Sequence, residues 1–209
     1  MVILYGNPYS PNARKVHWLL EEVGAPYRYE SLDLMAGHQK RPEYLRMNPN
    51  GRVPTIDDDG LILWESNAIL WYLADKFGRG KVVPDDVRSR AHVDQWMWWQ
   101  ASDLQPTTSR VAMMKIMAAP DRPIDPVKQQ EAIAAALKPT RILEEHLADG
   151  DKQFVVGDSF TIADISLAEA AANGRWGGVP MDDFPSVRAW LARLGDRPAF
   201  QRTRPQQRA

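Results

Sequence analysis

VILYGNPYSPNARKVHWLLEEVGAP, residues 2–26, reads as one strand, one turn and one helix. Val2 to Tyr5 is a short apolar run followed by the turn residues Asn7-Pro8-Tyr9, the pattern of a buried strand. Ser10-Pro11 then opens a helix, with a hydroxyl at the cap and proline at the first helical position. Val16, Leu19, Leu20 and Val23 recur at i, i+3, i+4 and i+7, so one face of that helix belongs to a core. Gly24 ends it and Pro26 enforces the stop.

Further along the chain the alternation continues. Tyr27 to Leu32 reads as a second strand. Ala36 to Met47 is polar, with one helical turn near Pro42 to Arg46, and Asn48-Pro49-Asn50-Gly51 is a turn. Pro54-Thr55-Ile56 and Leu61-Ile62-Leu63-Trp64 flank Asp58-Asp59-Gly60, a hairpin signature. Ser66 caps a helix carrying Ile69, Leu70, Leu73 and Phe77, closed by Gly78-Arg79-Gly80. Residues 1–79 therefore form an α/β domain of order βαβαββα. The segment Gly80 to Asp86 is the linker, and residues 86–209 form an all-α domain. Helices are expected at Val87–Ser102, Arg110–Ala118, Pro126–Leu147, Thr161–Asn173, Phe184–Gly195 and Pro198–Arg204. Pro139 is expected to kink or break the third. Arg202 to Ala209 reads as a loose polar tail.

Composition narrows the function. Of 209 residues, 26 are Lys or Arg and 27 Asp or Glu, a net charge of −1, without the basic excess of a general nucleic-acid binder. There is no cysteine, so disulfides, thiolate metal sites and a protein thiol nucleophile are excluded. The four histidines, His17, His38, His92 and His146, lack close ligand spacing, so no metal is expected. No apolar run approaches membrane-spanning length and the N-terminus is not a secretory signal, so a cytoplasmic location and no membrane contact are expected.

Four features of the first domain carry chemistry. Ser10 and Asn12 lie in a helix's first turn, where free N–H groups and the helix dipole favour an anion; Ser10 taken alone reads first as a cap. Pro54 opens a strand after a glycine turn, and a cis Val53-Pro54 bond would turn the Val53 backbone out to pair with an extended peptide; a plain trans proline is the alternative. Glu65-Ser66 stands at another helix start, suited to a carboxylate and an ammonium together, or to a simple cap. Gly37-His38-Gln39-Lys40 is a polar segment that either closes over a small ligand or is a solvated loop.

Taken in order, Tyr9-Ser10-Pro11-Asn12-Ala13-Arg14-Lys15-Val16, Asn48-Pro49-Asn50-Gly51-Arg52-Val53-Pro54, Leu63-Trp64-Glu65-Ser66-Asn67-Ala68-Ile69 and Gly157-Asp158-Ser159-Phe160-Thr161-Ile162-Ala163-Asp164-Ile165 resemble the glutathione S-transferase family over essentially the whole chain. The resemblance implies a thioredoxin-like first domain that binds glutathione, an all-helical second domain and a homodimer. Ser10 matches the serine that hydrogen-bonds the glutathione sulfur in serine-type bacterial members. Asn12 matches a sulfur-contacting asparagine. Tyr9 and Tyr5 are the rival hydroxyls. Gln39 and Arg52 match the glycyl-carboxylate side, ahead of His38. Val53 before Pro54 matches the backbone partner of the cysteinyl unit, and Glu65 and Ser66 match the γ-glutamyl side. Asp164, in the capping box Thr161-Ile162-Ala163-Asp164, reads as a fold residue.

The family places an apolar substrate pocket between the domains, with Trp96, Trp99, Met113 and Met114 as expected walls, together with Met97, Met117 and, more weakly, Trp176. Ordinary helix core is the alternative for each. The implied activity is conjugation of glutathione to small hydrophobic electrophiles, a detoxification chemistry. The alternatives are glutathione-dependent disulfide reduction without a protein cysteine, and ligand binding without turnover.

Overall fold

A computed structural model describes residues 1–150 and 152–205. The chain divides into two compact units, Met1–Asp85 with residues from Asp196 onward, and Asp86–Gly195.

In the first unit, β1 (Val2–Gly6), β2 (Tyr27–Ser31), β3 (Thr55–Asp58) and β4 (Leu61–Trp64) form one mixed sheet in the order β2-β1-β3-β4. β1 pairs parallel with β2 through the crossover α1 (Pro11–Val23), and antiparallel with β3. β3 and β4 are the expected hairpin, with Ile56 opposite Leu63. Asp57 closes its turn by accepting from the Gly60 N–H at 2.8 Å. After β2 come a 3₁₀ turn, His38–Lys40, and a short α2 (Pro42–Met47); α3 (Ser66–Phe77) follows β4. This is the thioredoxin-like arrangement. Its core follows most of what the periodicity marks: Val2 and Leu4 of β1, Val16, Leu19 and Leu20 of α1, and Ile69, Leu70 and Leu73 of α3 are all fully buried, whereas Val23 and Phe77, at the helix ends, are half-buried.

The last helix belongs to this unit. α9 (Pro198–Arg202) packs on α1, with Phe200 edge-on to the buried Trp18 at 4.8 Å. Arg197 and Arg202 pair with Glu22 and Glu21 of α1. The sequence reading kept these residues with the helical domain because the next aromatic partner of Phe200 lies some 180 residues earlier, beyond any local pattern. The expected loose tail is described only to Pro205; residues 206–209 lie outside the described residues.

Asp58, nearly buried at the end of β3, ties α3 to the sheet. Tyr72 donates to its Oδ2 at 2.6 Å, and Lys76 donates to the same oxygen. Burial pushes this carboxyl up, but the bonds from Lys76 and Tyr72 outweigh it and hold the group below its usual value. A depressed carboxyl contributes stability above its unfolded pKa and loses it as pH falls. Asp58→Asn is therefore expected to lower the urea midpoint at pH 7 and to flatten its decline below about pH 4, where free aspartate titrates.

The second unit contains helices and, among the described residues, no strand. α4 (Val87–Trp99) runs through a π-helical turn, Gln100–Leu104, into α5 (Gln105–Met117). The expected gap before Arg110 is absent, because the π turn carries the helix past Pro106. α6 (Pro126–Ala148) likewise continues through Pro139. The ring removes one backbone donor, and the Thr140 hydroxyl donates to the Ala136 carbonyl at 2.7 Å beside it. α7 (Ile162–Gly177) extends beyond the expected Asn173 and is buried along most of its length; α8 (Pro185–Gly195) completes the unit. The Glu144 carboxylate of α6 accepts from the first N–H groups of α8, Ser186 at 3.0 Å and Val187 at 2.8 Å.

α7 meets α5 backbone to backbone. A Cβ on Gly177 would lie 2.7 Å from the Ala112 nitrogen, and one on Gly174 2.7 Å from the Thr108 side chain. Gly177→Ala forces the helices apart, because the obstruction is main chain. It is expected to cost roughly 1–3 kcal/mol, seen as a lowered urea midpoint with far-ultraviolet ellipticity retained.

Candidate functional site

Ser10 stands in extended conformation at the head of α1, and its Oγ accepts from the Ala13 N–H at 3.4 Å. It is the cap the sequence predicts. A hydroxyl that accepts in this way still has its own hydrogen to donate, and among the described residues no acceptor takes it. An anion at this helix end would meet that hydroxyl and the positive end of the dipole together.

Asn12, one turn into α1, accepts on Oδ1 from the Ser66 hydroxyl at 3.3 Å. That bond joins the start of α1 to the start of α3. Lys15, almost wholly buried, adds a second link by donating to Asn67 Oδ1 at 2.8 Å. Two helix N-termini are thus fastened side by side. One expectation changes here: Ser66 is the first residue of α3 and Glu65 holds the cap position, without a side-chain capping bond. The Ser66 hydroxyl is committed to Asn12 instead. Glu65 has φ +72 and ψ 109, a strained backbone for a residue with a Cβ. Strain of that kind persists where its surroundings enforce it, and here it sets an exposed carboxylate at the head of a helix.

The loop before β3 is equally well held. The Val53-Pro54 peptide is cis, which decides between the two readings the sequence leaves open. The Arg52 carbonyl accepts from the Tyr44 hydroxyl at 2.7 Å and from Asn48 Nδ2 at 2.8 Å. Both donors also reach Thr55 Oγ1, at 2.8 and 3.2 Å. Burial raises the Tyr44 phenol above its usual value, so it stays neutral while holding the loop. The Arg52 side chain is exposed and Pro54 is buried.

Gln39 lies in the 3₁₀ turn beside this loop. Its Nε2 donates to the Leu34 carbonyl at 3.2 Å, and its Oε1 is buried without a partner. In this arrangement the amide hydrogens that a carboxylate ligand needs are turned to the backbone. His38 accepts on Nδ1 from the Asp33 N–H at 3.4 Å. Gly51, at φ +56, makes the approach of this turn possible, because a Cβ there would stand 2.9 Å from the Gln39 carbonyl. Of the rival hydroxyls, Tyr9 is 57% exposed, whereas Tyr5 packs edge-on to Tyr44 at 6.3 Å.

In the helical unit, Trp96 and Trp99 meet edge to face at 5.1 Å, and Trp96 also packs on His146 at 4.4 Å. Met97 is core. Met113 and Met117 on α5 are exposed and Met114 is half-buried. Trp176 lies in the last turn of α7, not in the loop after it. Lys115 holds it, with Nζ 4.7 Å from the ring centre and 3.0 Å from the Trp176 carbonyl. Among the described residues no group of three or more His, Asp or Glu could hold a metal ion, and no helix is long and apolar enough to cross a membrane.

Sequence reasoning missed Tyr44, Asn48 and Lys15. Asn48 was visible as part of a turn, and its Oδ1 does accept from the Asn50 N–H at 3.1 Å. Its second task, holding Arg52 and Thr55, depends on burial that a turn motif does not announce.

Comparison with known proteins gives a consistent result. Residues 1–75 match the family model for the glutathione S-transferase N-terminal domain, and residues 104–198 the model for its C-terminal domain. The chain is 32% identical over 208 residues to glutathione S-transferase GstB of Escherichia coli, covering 97% of each. It is 32% identical over 206 residues to the disulfide-bond oxidoreductase YfcG of the same organism, covering 95% of this chain and 92% of that one. Among solved structures, a glutathione transferase from Burkholderia graminis with two glutathione molecules bound per subunit aligns at TM-score 0.87 and 31% identity, covering 97% of this chain and 86% of that one.

Proposed function

This chain belongs to the glutathione S-transferase family, and we propose that it seats reduced glutathione against the heads of α1 and α3 and ionises its thiol beside Ser10. The thiolate then attacks a small hydrophobic electrophile. The observation that carries this reading is the Ser66–Asn12 hydrogen bond, 3.3 Å long, which couples the two helix heads. Glutathione presents a thiol, two carboxylates and an ammonium, and these two positive helix ends beside the Glu65 carboxylate complement that set.

The chemistry is control of a pKa. A free thiol near 8.5 is only a few per cent thiolate at pH 7. Lowering it by two units requires roughly 2.7 kcal/mol of preference for the anion. One charge-assisted hydrogen bond, about 1.5–3 kcal/mol, with the helix dipole added, is of that size. Ser10 acts as a donor to the sulfur, with Asn12 beside it. The extended backbone at Val53 pairs with the cysteinyl unit. Arg52 serves the glycyl carboxylate; Gln39 joins it once its amide turns outward. Trp96, Trp99, Met113 and Met114 form the apolar walls for the electrophile. Homodimerisation and a cytoplasmic location belong to the same proposal and rest on the family alone.

Ultraviolet difference titration of glutathione into the protein across pH tests this without a choice of electrophile, because the thiolate absorbs where the thiol does not. A bound thiol titrating near 6.5 is the expected result; binding with an unshifted thiol contradicts it.

A second reading is favoured by the likeness to YfcG. Here one thiolate attacks a substrate disulfide, and a second glutathione resolves the mixed disulfide. The substrate leaves as two thiols and the two glutathiones leave as their disulfide. That route needs no protein cysteine, and this chain has none. Turnover of a model disulfide exceeding that of a model electrophile would select it.

A further inference from the structure

The sequence contains two Asn-Gly pairs, Asn50-Gly51 and Asn173-Gly174, each followed by arginine. In such a pair the following nitrogen can reach the asparagine side chain with little obstruction, because glycine has no Cβ. The fold treats the two differently. Asn173 lies inside α7, where helical bonding fixes the backbone and occupies the amide hydrogens, and Gly174 is buried. Asn50 lies in an exposed turn. The glycine after it is compelled: Gly51 has φ +56, and a Cβ there would stand 2.7 Å from Lys40 Nζ and 2.9 Å from the Gln39 carbonyl.

Two neighbours act on the exposed pair in opposite senses. Lys40 donates through Nζ to the Asn50 carbonyl at 3.3 Å. That carbonyl shares its peptide bond with the Gly51 nitrogen, so an ammonium on it draws charge from the amide and makes the Gly51 N–H more acidic. Asn48 restrains the pair. Its carbonyl accepts from the Gly51 N–H at 2.9 Å, and its Oδ1 accepts from Asn50 Nδ2 at 3.2 Å and from the Asn50 N–H at 3.1 Å. The nitrogen that would attack and the amide it would attack are thus both held by one residue.

We propose that Asn50 is a site of spontaneous deamidation, promoted by Lys40 and restrained by Asn48. The Gly51 nitrogen loses its proton to solvent base and bonds to Asn50 Cγ. The Cγ–Nδ2 bond breaks, and Nδ2 takes a proton from water and leaves as ammonia. The five-membered imide then takes up water at either carbonyl, leaving aspartate or isoaspartate at position 50. One water enters, one ammonia departs and nothing is oxidised. The product adds a negative charge to the turn, and isoaspartate also adds a methylene to the main chain ahead of Val53. The site stands independently of the function proposed above.

The test holds full-length protein folded in mildly alkaline buffer and follows both asparagines by peptide mapping over days, with isoaspartate separated from aspartate by chromatography. A parallel sample unfolded in guanidinium chloride supplies the reference rate of each site. In the folded chain Asn50 is expected to keep roughly tenfold or more of its reference rate relative to Asn173, whose reaction requires opening of α7. Lys40→Met should slow Asn50 by roughly threefold, the loss of one exposed charge-assisted bond. Asn48→Ala should quicken it by roughly fivefold, the loss of a restraint worth about 1 kcal/mol. Lys40 is exposed, so its variant decides the matter even where Asn48→Ala loosens the turn. Folded-state protection of Asn50 equal to that of Asn173, or an Asn50 rate unmoved by Lys40→Met, overturns the proposal.

Discussion

Asp164→Ala is expected to cost the helical unit roughly 3–5 kcal/mol, a large share of a typical folding free energy of about 5–15 kcal/mol. Asp164 is fully buried and accepts from four donors. Oδ1 takes the Val155 N–H at 2.9 Å and the Trp190 indole N–H at 3.1 Å, and Oδ2 takes the Thr161 N–H at 2.9 Å and the Thr161 hydroxyl at 3.2 Å. One carboxylate therefore caps α7, fixes the loop at Val155 and anchors the Trp190 of α8. Alanine would leave several of those donors buried and unpaired, each at about 1–3 kcal/mol. Burial pushes the carboxyl up to about 6 against the pull of its four donors. A raised carboxyl favours the protonated form in the folded chain, so on its account stability falls as pH climbs from about 4 toward 6 and is level above. Asp164→Asn keeps an acceptor for one pair of donors but turns its amide hydrogens on the other, so about half the loss is expected. Its deficit against the parent should narrow between pH 4 and 6. Urea midpoints for both variants across that range are the measurement. An unfolding free energy for the alanine variant within about 1 kcal/mol of the parent's would mean that the four bonds are dispensable.

How far this arrangement was legible in the sequence depends on the range of each interaction. The strand and helix order of the first unit, the buried faces of α1 and α3, the β3–β4 hairpin and the capping box at Thr161 are all local, and short spacings reveal them. Ser10 at a helix head was legible for the same reason. What remained hidden was long-range or irregular. Ser66 reads as a cap because its neighbours follow the pattern of one, but Asn12, 54 residues away, claims its hydroxyl. The stretch between Ser102 and Arg110 reads as a gap, and Pro139 as a break because proline removes a donor; a π turn and a buried helical context carry the helices through. Phe200 finds Trp18 across almost the whole chain. Gln39 occupies the expected place, but which end of its amide faces outward is a matter of its own hydrogen bonds, and no residue spacing encodes that.

Ser10→Ala is expected to raise the pKa of enzyme-bound glutathione by about 1–2 units, the equivalent of one charge-assisted hydrogen bond. Turnover at pH 6.5 should fall roughly 5- to 50-fold, as the thiolate fraction drops from one half, and the deficit should close above pH 9, where the thiol ionises unaided. The affinity for glutathione should change little at that pH, because the proposed site holds the γ-glutamyl and glycyl ends through other residues. The complication is that Ser10 also caps α1 through Ala13, so alanine is expected to cost about 0.5–2 kcal/mol of stability as well. Ser10→Gly separates the two roles, since glycine at a cap costs only a few tenths of a kcal/mol yet has no hydroxyl. If the hydroxyl acts on the sulfur, glycine and alanine variants share the raised thiol pKa and differ in stability. Ser10→Thr should retain both properties. If the pH–rate profile follows helix stability instead, with glycine near the parent and alanine impaired, the hydroxyl is only a cap and the sulfur contact passes to Asn12. The same titration on Asn12→Ala would then show the shift that Ser10→Gly lacks. A profile unmoved in both would turn the search to Tyr9, whose exposed ring is the nearest remaining hydroxyl in sequence.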